Sequence, residues 1–449
     1  MNKNQNDCSK GFEPGEYRKG HQAQSQPAHV RTWRQGVAIL LLLGSTAATW
    51  LAPDCAGADR QPGQDRERPH PPPPAEPPLP PDAPPPSRWE AGPWWDNQRG
   101  EHAAICITNA GAQTIVLGES VLSRPEYLTV QSLVLGAPLS NTLTLSLVKL
   151  GADHPLHVLD ACSVHANASI RVDNSALLVD GVAVIGGRLN LGRGSVTANS
   201  GVLVGEGPDV EAVVNVNGGT FTVTNSSHNA RILIGLAGMG SFSLNGGNVQ
   251  ADSLQVTNDP NSRFIFKSGS AKLRSLWVAN QGPMTVGDGI HPATLELGGG
   301  TNFFSGLLTI SSNATVLGKG TICGPVANYG TILAGRDGDS LIFASSGPYI
   351  SSVTNWGRMY MTNGGKLSFE GTACNNVPFP ITAMNQTGAG FTAQFVSVGG
   401  LSHTLQYKSA PGDANWTSVA SVTGTGETLS LSDPALAGQT RYYRIRVGR

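Results

Sequence analysis

A short phrase built around two glycines recurs through the middle of the chain. It reads VIGGRL at residues 184–189, VNGGTF at 216–221, LNGGNV at 244–249 and LGGGT at 297–301, with a weaker copy, FKSGS, at 266–270. Each copy joins a short apolar run to glycine, which tolerates positive φ and can close a strand with a turn. The marked positions lie 32, 28, 22 and 30 residues apart, a spacing typical of stacked repeats.

A second apolar phrase alternates with the first. It reads VLVG at 202–205, ILIG at 232–235, LQV at 254–256 and LWV at 276–278. In a solenoid equivalent turns stack on one another, so similar turn chemistry recurs once per coil, whereas a meander has no such constraint. The sequence therefore predicts an all-β chain with a right-handed parallel β-solenoid over residues 100–377, in roughly ten coils of about 20–30 residues each.

The composition agrees with many short strands and tight turns. The chain has 449 residues, 56 of them glycine, and only 14% are charged, against about 25% in typical proteins. Its formal net charge is −1, so no global field draws it to nucleic acid or to anionic lipid. We therefore expect no nucleic-acid partner, and contact with a membrane only through the N-terminal segment.

Residues 1–58 have the pattern of an export signal. A polar, mildly basic leader precedes an apolar run from Val37 to Ala52, about sixteen residues where a membrane span needs about 20. Ala56, Gly57 and Ala58 form an A-x-A cleavage site. This predicts a signal peptide and a secreted or cell-surface protein, with an uncleaved signal anchor as the alternative.

Residues 59–99 form a proline-rich linker, with runs at 71–74 and 84–86. Such a segment adopts extended polyproline II and acts as a semi-rigid spacer. Trp94 and Trp95 follow the prolines and are candidate binding residues, since clustered aromatic rings can stack on sugars. The alternative is that they cap the open end of the first coil together with Trp89.

Four cysteines remain if the leader is removed, namely Cys106, Cys162, Cys323 and Cys374. None has a CxxC or Cys/His spacing of the zinc type. One or two disulfides or buried free thiols both suit an exported β core, and the spacing leaves the pairing open.

The later coils carry a family resemblance. Residues 318–324 read GKGTICG, 328–332 read NYGTI and 355–359 read NWGRM. With the Gly-Gly phrases, this pattern resembles the repeats of secreted bacterial β-helix proteins of the autotransporter-passenger type, which share the pectin-lyase-like fold. The resemblance covers roughly residues 180–370 and implies an exported β-helix protein, in a family that includes adhesins, stalks and proteins of no known activity.

The sequence pattern changes over residues 378–449. Strand-like segments with alternating apolar and polar residues begin there about eleven to fifteen residues apart. This spacing predicts a small antiparallel β-sandwich. The phrases LQYKS at 405–409, NWTSV at 415–419 and RYYRIRV at 441–447 are similar to the fibronectin-III-like C-terminal module common on exported proteins of Verrucomicrobia-like bacteria. That resemblance implies that Trp416 and Tyr443 are core residues.

Candidate chemistry is concentrated in one polar cluster between residues 153 and 180. Asp153 and Asp173 are twenty residues apart, as are Asp160 and Asp180, so a twenty-residue coil would stack each pair on one face. Stacked carboxylates can hold Ca²⁺ or work as an acid/base pair, although aspartate is also a favoured turn residue. These four are the candidate catalytic residues. We expect no cofactor and no metal, with Ca²⁺ at these aspartates as the alternative.

The sequence predicts an exported, surface-associated structural or adhesive solenoid, with no catalysis expected. Its candidate partners are cell-surface or extracellular polysaccharide, especially neutral glycans, and other copies of itself. The alternative is a polysaccharide lyase or glycoside hydrolase on the same pectin-lyase-like fold, which would use the four aspartates.

Overall fold

A computed structural model describes most of the chain after the proline-rich segment. The described residues are 86–95, 102–108, 111–138, 140–207, 211–257, 259–346, 351–370, 372–375, 381–387, 390–410, 413–434 and 441–448. The predicted export signal, residues 1–58, and most of the predicted linker lie outside them. Three short 3-10 helices occur in the described residues, at Trp89–Ala91, Glu119–Ser123 and Pro125–Tyr127, and all other regular elements there are β-strands.

The chain winds as a parallel β-solenoid of about 11 turns, and its strands form three long faces. Face 1 has 13 parallel strands, each paired with the equivalent strand of the next coil. They are Ser87–Arg88, Gln113–Leu117, Leu143–Val148, Ala168–Asp173, Arg188–Leu191, Ala212–Val216, Gly240–Leu244, Arg263–Phe266, Met284–Val286, Leu308–Ile310, Pro325–Asn328, Ser352–Asn355 and Thr372–Asn375.

Faces 2 and 3 follow face 1 in each coil and meet at a shared corner. Face 2 contains Thr129–Val130, Leu156–Val158, Ser175–Val179, Gly194–Ala198, Thr220–Val223, Thr331–Ala334 and Arg358–Met361. Face 3 contains Ala104–Thr108, Ser132–Gly136, Cys162–Val164, Val182–Ile185, Gly201–Val204, Arg231–Ile234, Ser340–Ala344 and Lys366–Phe369. Four long strands bend at the corner and serve both faces: Asn248–Val256, Gly269–Val278, Ala293–Phe304 and Ala314–Cys323.

The strands form because apolar and polar residues alternate along them. Leu143–Val148, for example, buries every second side chain and leaves the others partly exposed. The buried side chains of all three faces point inward and form one continuous hydrophobic core, and burying one such Val or Leu side chain stabilises the fold by about 1.5–3 kcal/mol. Phe221, Phe242 and Phe264 stack edge to face along this core in successive coils.

The register shows which repeats are equivalent. The phrase that begins at Val202 is aligned in four successive coils, through Ile232, Leu254 and Leu276. The Gly-Gly phrase is aligned in only three of its five copies, 216–221, 244–249 and 266–270. The copies at 184–189 and 297–301 lie at other corners, because Gly-rich backbone suits every tight turn of the coil. Coil lengths therefore vary along face 1, from 18 residues between Leu308 and Val326 to 30 between Gln113 and Leu143.

Buried asparagines hold the corner between faces 1 and 2 in the late coils. Asn328 and Asn355 are in register, and the Nδ2 of Asn328 donates to the Oδ1 of Asn355 at 2.6 Å. The Oδ1 of Asn328 also accepts a hydrogen bond from the backbone N–H of Gly330 at 3.1 Å. This stacked pair accounts for the recurring N-x-G in NYGTI and NWGRM.

Aromatic side chains close the N-terminal end of the core. Trp89 is fully buried, and its indole N–H donates to the carbonyl of Tyr127 at 2.8 Å. Trp95 packs edge-on against Trp89 and Tyr127, as the capping alternative expected. The first strand, Ser87–Arg88, pairs with face 1, so the solenoid begins within the segment predicted as linker.

The C-terminal residues form two three-stranded antiparallel sheets. One contains Ile381–Thr387, Gly390–Val396 and Thr428–Asp433, and the other Ser402–Lys408, Thr417–Thr423 and Tyr442–Gly448. They pack around a small core of their own, with Phe395, Leu405 and Leu431 buried. The predicted fold class, a parallel solenoid followed by a small antiparallel sandwich, is confirmed.

Of the two residues implied as sandwich core, only Tyr443 has that place. Its ring stacks on Phe391 with centroids 3.9 Å apart. Trp416 lies half-buried outside this core, with the Arg444 guanidinium 4.2 Å and the Lys408 ammonium 4.9 Å from its ring centroid. The implied core role of Trp416 was wrong because its ring is held by two cations instead of by apolar side chains.

The sandwich closes the C-terminal end of the solenoid. Val398 and Leu401 belong to the solenoid's own core cluster. The backbone N–H of Gly399 donates to the carbonyl of Met359 at 2.8 Å, and that of Met361 donates to Thr425. Both ends of the hydrophobic column are therefore covered.

Three cysteines of the described residues are of two kinds. Cys106 is disulfide-bonded, whereas Cys162 and Cys323 are buried free thiols. Burial raises the pKa of Cys162 to about 12, and burial together with the charge of Glu370 also raises the pKa of Cys323. Both thiols are therefore protonated and chemically inert at neutral pH.

Candidate functional site

The sequence-derived pair Asp153 and Asp173 does not stack. Asp173 ends a face 1 strand, and its register partner in the preceding coil is Val148. Because that coil is 25 residues long, Asp153 lies in the loop that follows Val148, exposed to solvent. Asp173 instead accepts a hydrogen bond from the Nε of Arg193 at 3.2 Å.

Asp160 and Asp180 do lie in adjacent coils, at the corner between faces 2 and 3. The backbone N–H of Gly181 donates to the carbonyl of Asp160 at 3.0 Å. The Asp180 carboxylate, however, contacts the Nε2 of His157 at 2.7 Å and accepts from the Nδ2 of Asn199 at 2.7 Å. Its oxygens are thus occupied by neighbouring turns, while the Asp160 side chain is exposed.

The same corner continues as a ladder of hydrogen bonds into later coils. Asp252, whose side chain is 6% exposed, accepts from the backbone N–H groups of Asn225 at 3.1 Å and Ala230 at 3.3 Å. His228 lies 3.4 Å from its other oxygen. These contacts satisfy the carboxylate and fix a turn, a structural role.

Metal and membrane features are limited in the described part of the chain. No three side chains among His, Cys, Asp and Glu converge there in a way that could hold a metal ion. The expectation of no cofactor, with Ca²⁺ as the alternative, stays a prediction. None of the helices in the ranges given above is long and apolar enough to cross a membrane.

Trp94 and Trp95, the other candidate binding residues, pack partly buried against the first coil. The indole N–H of Trp95 donates to the carbonyl of Trp89 at 2.7 Å. Their rings therefore help to close the core end, which leaves less of each ring surface for a ligand.

A row of neutral polar side chains lies on the outside of face 2, which the sequence did not reveal. We call it the hydroxyl row. Its members are in register in seven successive coils and none is fully buried; they are Ser195, Thr220, Asn248, Ser270, Thr294, Thr315 and Thr331. Adjacent members are about 4.8 Å apart, the spacing of neighbouring strands.

Two exposed aromatic rings border the end of this row. Tyr329 and Trp356 follow the paired asparagines in successive coils and stack with centroids 4.8 Å apart and 3° between the ring planes. They remain 48% and 43% exposed. Tyr329 lies two residues before Thr331, so an apolar edge adjoins the hydroxyl row.

A cavity of about 270 Å³ opens through face 1 between the strands Arg263–Phe266 and Met284–Val286. These strands are in register only at Phe266 and Val286, and Pro283, which has no N–H, precedes the second strand. The floor includes Phe264 and Met284, and Arg263 and Lys267 lie at the rim. The cavity is the result of a local splay between two coils.

Comparisons with protein-family models, with characterised proteins and with solved structures give no match to this chain. Its class is therefore defined by its own fold, a β-solenoid with a closing C-terminal sandwich.

The hydroxyl row was missed because its signal lies in the register and not in any motif. Thr220 and Thr294 each precede an apolar residue in an ordinary alternating strand. Nothing local distinguishes them from solvent-facing strand residues. Only the coil lengths, which vary along the chain, bring the seven positions into line.

Proposed function

We propose that this chain is an exported, surface-associated β-solenoid that acts as a structural or adhesive module by binding extracellular polysaccharide along face 2. The observation that carries the proposal is the hydroxyl row. Seven aligned side chains that donate and accept hydrogen bonds form a continuous uncharged track, which suits an extended chain of sugar hydroxyls. The stacked pair Tyr329 and Trp356 adds apolar surface for sugar rings.

The placement of the four candidate acids in the described residues supports binding without turnover. Of the four candidate acids, Asp180 and Asp173 are engaged by neighbouring side chains, and Asp153 and Asp160 lie apart on exposed turns. Covered ends support the same role, because a solenoid that is closed at both ends presents its long faces to partners instead of its edges.

A direct test is co-sedimentation of the purified full-length chain with insoluble cellulose, chitin and starch. The same tubes are assayed for new reducing or unsaturated ends. We expect a bound fraction on at least one polymer and no new ends. New ends would instead support the lyase or hydrolase alternative, and absence of binding to every polymer would contradict the proposal.

A matched pair of variants tests whether the polysaccharide binds on face 2. Thr220→Val with Thr294→Val removes two hydroxyls from the row while keeping side-chain shape and strand propensity. We expect affinity to fall about fivefold per hydroxyl, since a hydrogen bond contributes about 1 kcal/mol. Thr309→Val with Thr354→Val makes the same change on the outside of face 1 and is expected to leave affinity unchanged.

A further inference from the structure

The later part of the corner between faces 2 and 3 gathers positive charge. Lys272, Arg274, Lys319 and Arg336 lie there, and Glu296 is the carboxylate that pairs with the side chains of two of them. Asp337 and Asp339 lie in the turn after Arg336, where Asp339 accepts hydrogen bonds from the backbone N–H groups of Gly335 and Arg336. Lys272 Nζ and Arg336 Nη1 approach the same Glu296 oxygen, at 3.2 and 3.0 Å. Four cations and three carboxylates thus share this corner, and Glu296 and Asp339 are already engaged by neighbouring groups.

Two of these cations have no acidic partner within the described ranges, Arg274 and Lys319. Both are exposed, and they stand on either side of a coil that has no side chain at the intervening position. Gly298 is in register with Lys319, and a Cβ built on Gly298 would lie 3.2 Å from the Cα of Arg274. The result is a notch, floored by backbone, between two cations.

A bulge in the sheet forms this notch. Between the pairs Leu273–Leu297 and Trp277–Phe303, one strand advances four residues and its neighbour advances six. The extra residues fall at Gly298–Gly300, where Gly299 has φ +132° and Gly300 has φ +66°. Bulges of this kind push one strand segment out of the ladder and re-aim the side chains beside it.

Close backbone packing holds Lys319 in place. Its neighbours Gly318 and Gly320 have φ of +106° and +123°. A Cβ on Gly318 would meet the Leu297 carbonyl oxygen at 2.2 Å, and one on Gly320 would meet that of Gly300 at 2.7 Å. The backbone on both sides of Lys319 is therefore tightly constrained, and the Lys319 side chain extends from it into solvent.

We propose that this basic bulge, formed by Lys272, Arg274, Lys319 and Arg336 around Gly298–Gly300, binds the acidic groups of a polysaccharide. The inference rests on the proposed function and specifies its ligand as an acidic polymer. The basic bulge and the hydroxyl row are continuous on the protein surface, which supports this assignment. Lys272 and Glu296 lie on the same strands as Ser270 and Thr294 of the hydroxyl row, two residues further along.

This placement gives the polymer one orientation. A sugar chain whose hydroxyls follow the hydroxyl row would direct its carboxylate, sulfate or phosphate groups toward the adjoining corner. There the free guanidinium and ammonium groups would donate charge-assisted hydrogen bonds, the strong kind for such anions.

Dextran, carboxymethyl-dextran and dextran sulfate test the inference, because they share a backbone and differ in charge. Affinity electrophoresis of the full-length chain would be run at low and high ionic strength. We expect at least one acidic dextran to bind about tenfold or more tightly than dextran at low salt, and the advantage to shrink at high salt. The two acidic polymers distinguish carboxylate from sulfate as the favoured group.

The quadruple variant Lys272→Gln, Arg274→Gln, Lys319→Gln and Arg336→Gln is expected to lose this advantage with an unchanged melting temperature. Arg263→Gln with Lys267→Gln, at the rim of the face 1 cavity, is the matched control and is expected to keep it. Equal loss in the control, or no loss in the quadruple variant, would overturn the inference. DNA that binds as tightly as dextran sulfate and is lost in the quadruple variant would also overturn the polysaccharide assignment.

The two sets of variants test the hydroxyl row and the basic bulge independently. Suppose the Thr220→Val, Thr294→Val variant loses binding to both neutral and acidic polymers while the quadruple variant behaves as wild type. This result would support binding by the hydroxyl row and contradict binding by the basic bulge. If the valine variant binds every polymer with wild-type affinity, the proposed function on face 2 is contradicted, and so is the placement of the acidic polysaccharide.

Discussion

The corner between faces 2 and 3 carries charged side chains along both of its halves, but the two halves treat them differently. In the earlier coils, the carboxylates of Asp180 and Asp252 accept hydrogen bonds from neighbouring turns. In the later coils, Arg274 and Lys319 stand exposed beside a glycine notch without an acidic partner in the described residues.

The difference separates charges that build the fold from charges that remain for a ligand. A carboxylate whose lone pairs are filled by backbone N–H groups is needed by the turn, and removing it leaves those donors unsatisfied. An exposed cation without a partner contributes little to stability. Mutation of Asp252 in the earlier half should therefore affect unfolding experiments most, and mutation of the exposed cations in the later half should affect binding experiments.

The largest expected effect comes from Asp252→Ala. It would leave the N–H groups of Asn225 and Ala230 without their acceptor in a buried turn, at a cost of about 3 kcal/mol in the free energy of unfolding. Denaturant titration of the full-length chain measures this. Asp160→Ala at the same corner, where the side chain is exposed, is the control, with a change of about 0.5 kcal/mol or less. Equal effects would show that burial does not distinguish these carboxylates.

Gly320→Ala tests whether the bulge of the later half is a rigid feature. Its φ of +123° and the nearby Gly300 oxygen make an added Cβ strained, so we expect a loss of about 1–3 kcal/mol. Gly207→Ala, where a Cβ would have no atom within 4 Å, should be close to neutral. An unchanged free energy of unfolding in Gly320→Ala would mean that the backbone of the bulge around Lys319 is flexible.

His403 in the sandwich is another buried group whose polar atoms are hydrogen-bonded within the fold. Its Nδ1–H donates to the carbonyl of Leu401 and its Nε2 accepts from the N–H of Val398, at 3.0 and 3.1 Å. Burial lowers the pKa of His403, so the folded state holds it neutral while the unfolded chain takes up a proton. Stability is then fully present above the unfolded pKa of about 6.5 and falls as the pH drops below it.

Melting temperatures between pH 5 and pH 8 test the His403 prediction. The wild-type sandwich should lose stability toward pH 5, and His403→Gln should flatten that dependence. An unchanged slope in the variant would assign the acid sensitivity to other groups.

Asp180→Asn should have the smallest effect. The Asp180 side chain is 39% exposed and its partner His157 is 28% exposed, so the pair is screened by solvent and contributes about 1 kcal/mol or less. We expect a shift of a degree or two in melting temperature and no change in polysaccharide binding or in the number of new ends. If the wild-type chain does form new ends, their loss in this variant would identify Asp180 as part of an active site.

The sequence predicted the solenoid because its apolar phrases are local signals of strands. The run from Val202 to Val204 and its later copies are aligned as expected. The antiparallel sandwich was predicted for the same reason, from the alternation that leaves Leu405 and Leu431 inside.

Coil length could not be predicted, and the candidate site depended on it. The Gly-Gly phrase marks three different corners, since any tight turn accepts glycine, so its spacing does not measure a coil. A twenty-residue coil placed Asp153 beside Asp173, whereas the actual coil of 25 residues separates them. The cations of the basic bulge are scattered from residue 272 to residue 336, and only the winding of four coils brings them together.

The most direct test compares one residue from each half of the corner in a single binding experiment. Affinity of the full-length chain for dextran sulfate at low ionic strength would be measured for wild type, Lys319→Gln and Asp180→Asn. We expect Lys319→Gln to weaken binding about two- to fivefold, the share of one exposed cation, and Asp180→Asn to match or slightly exceed wild type. Equal weakening in both variants, or none in Lys319→Gln, would contradict the division of the corner into a structural half and a ligand-binding half.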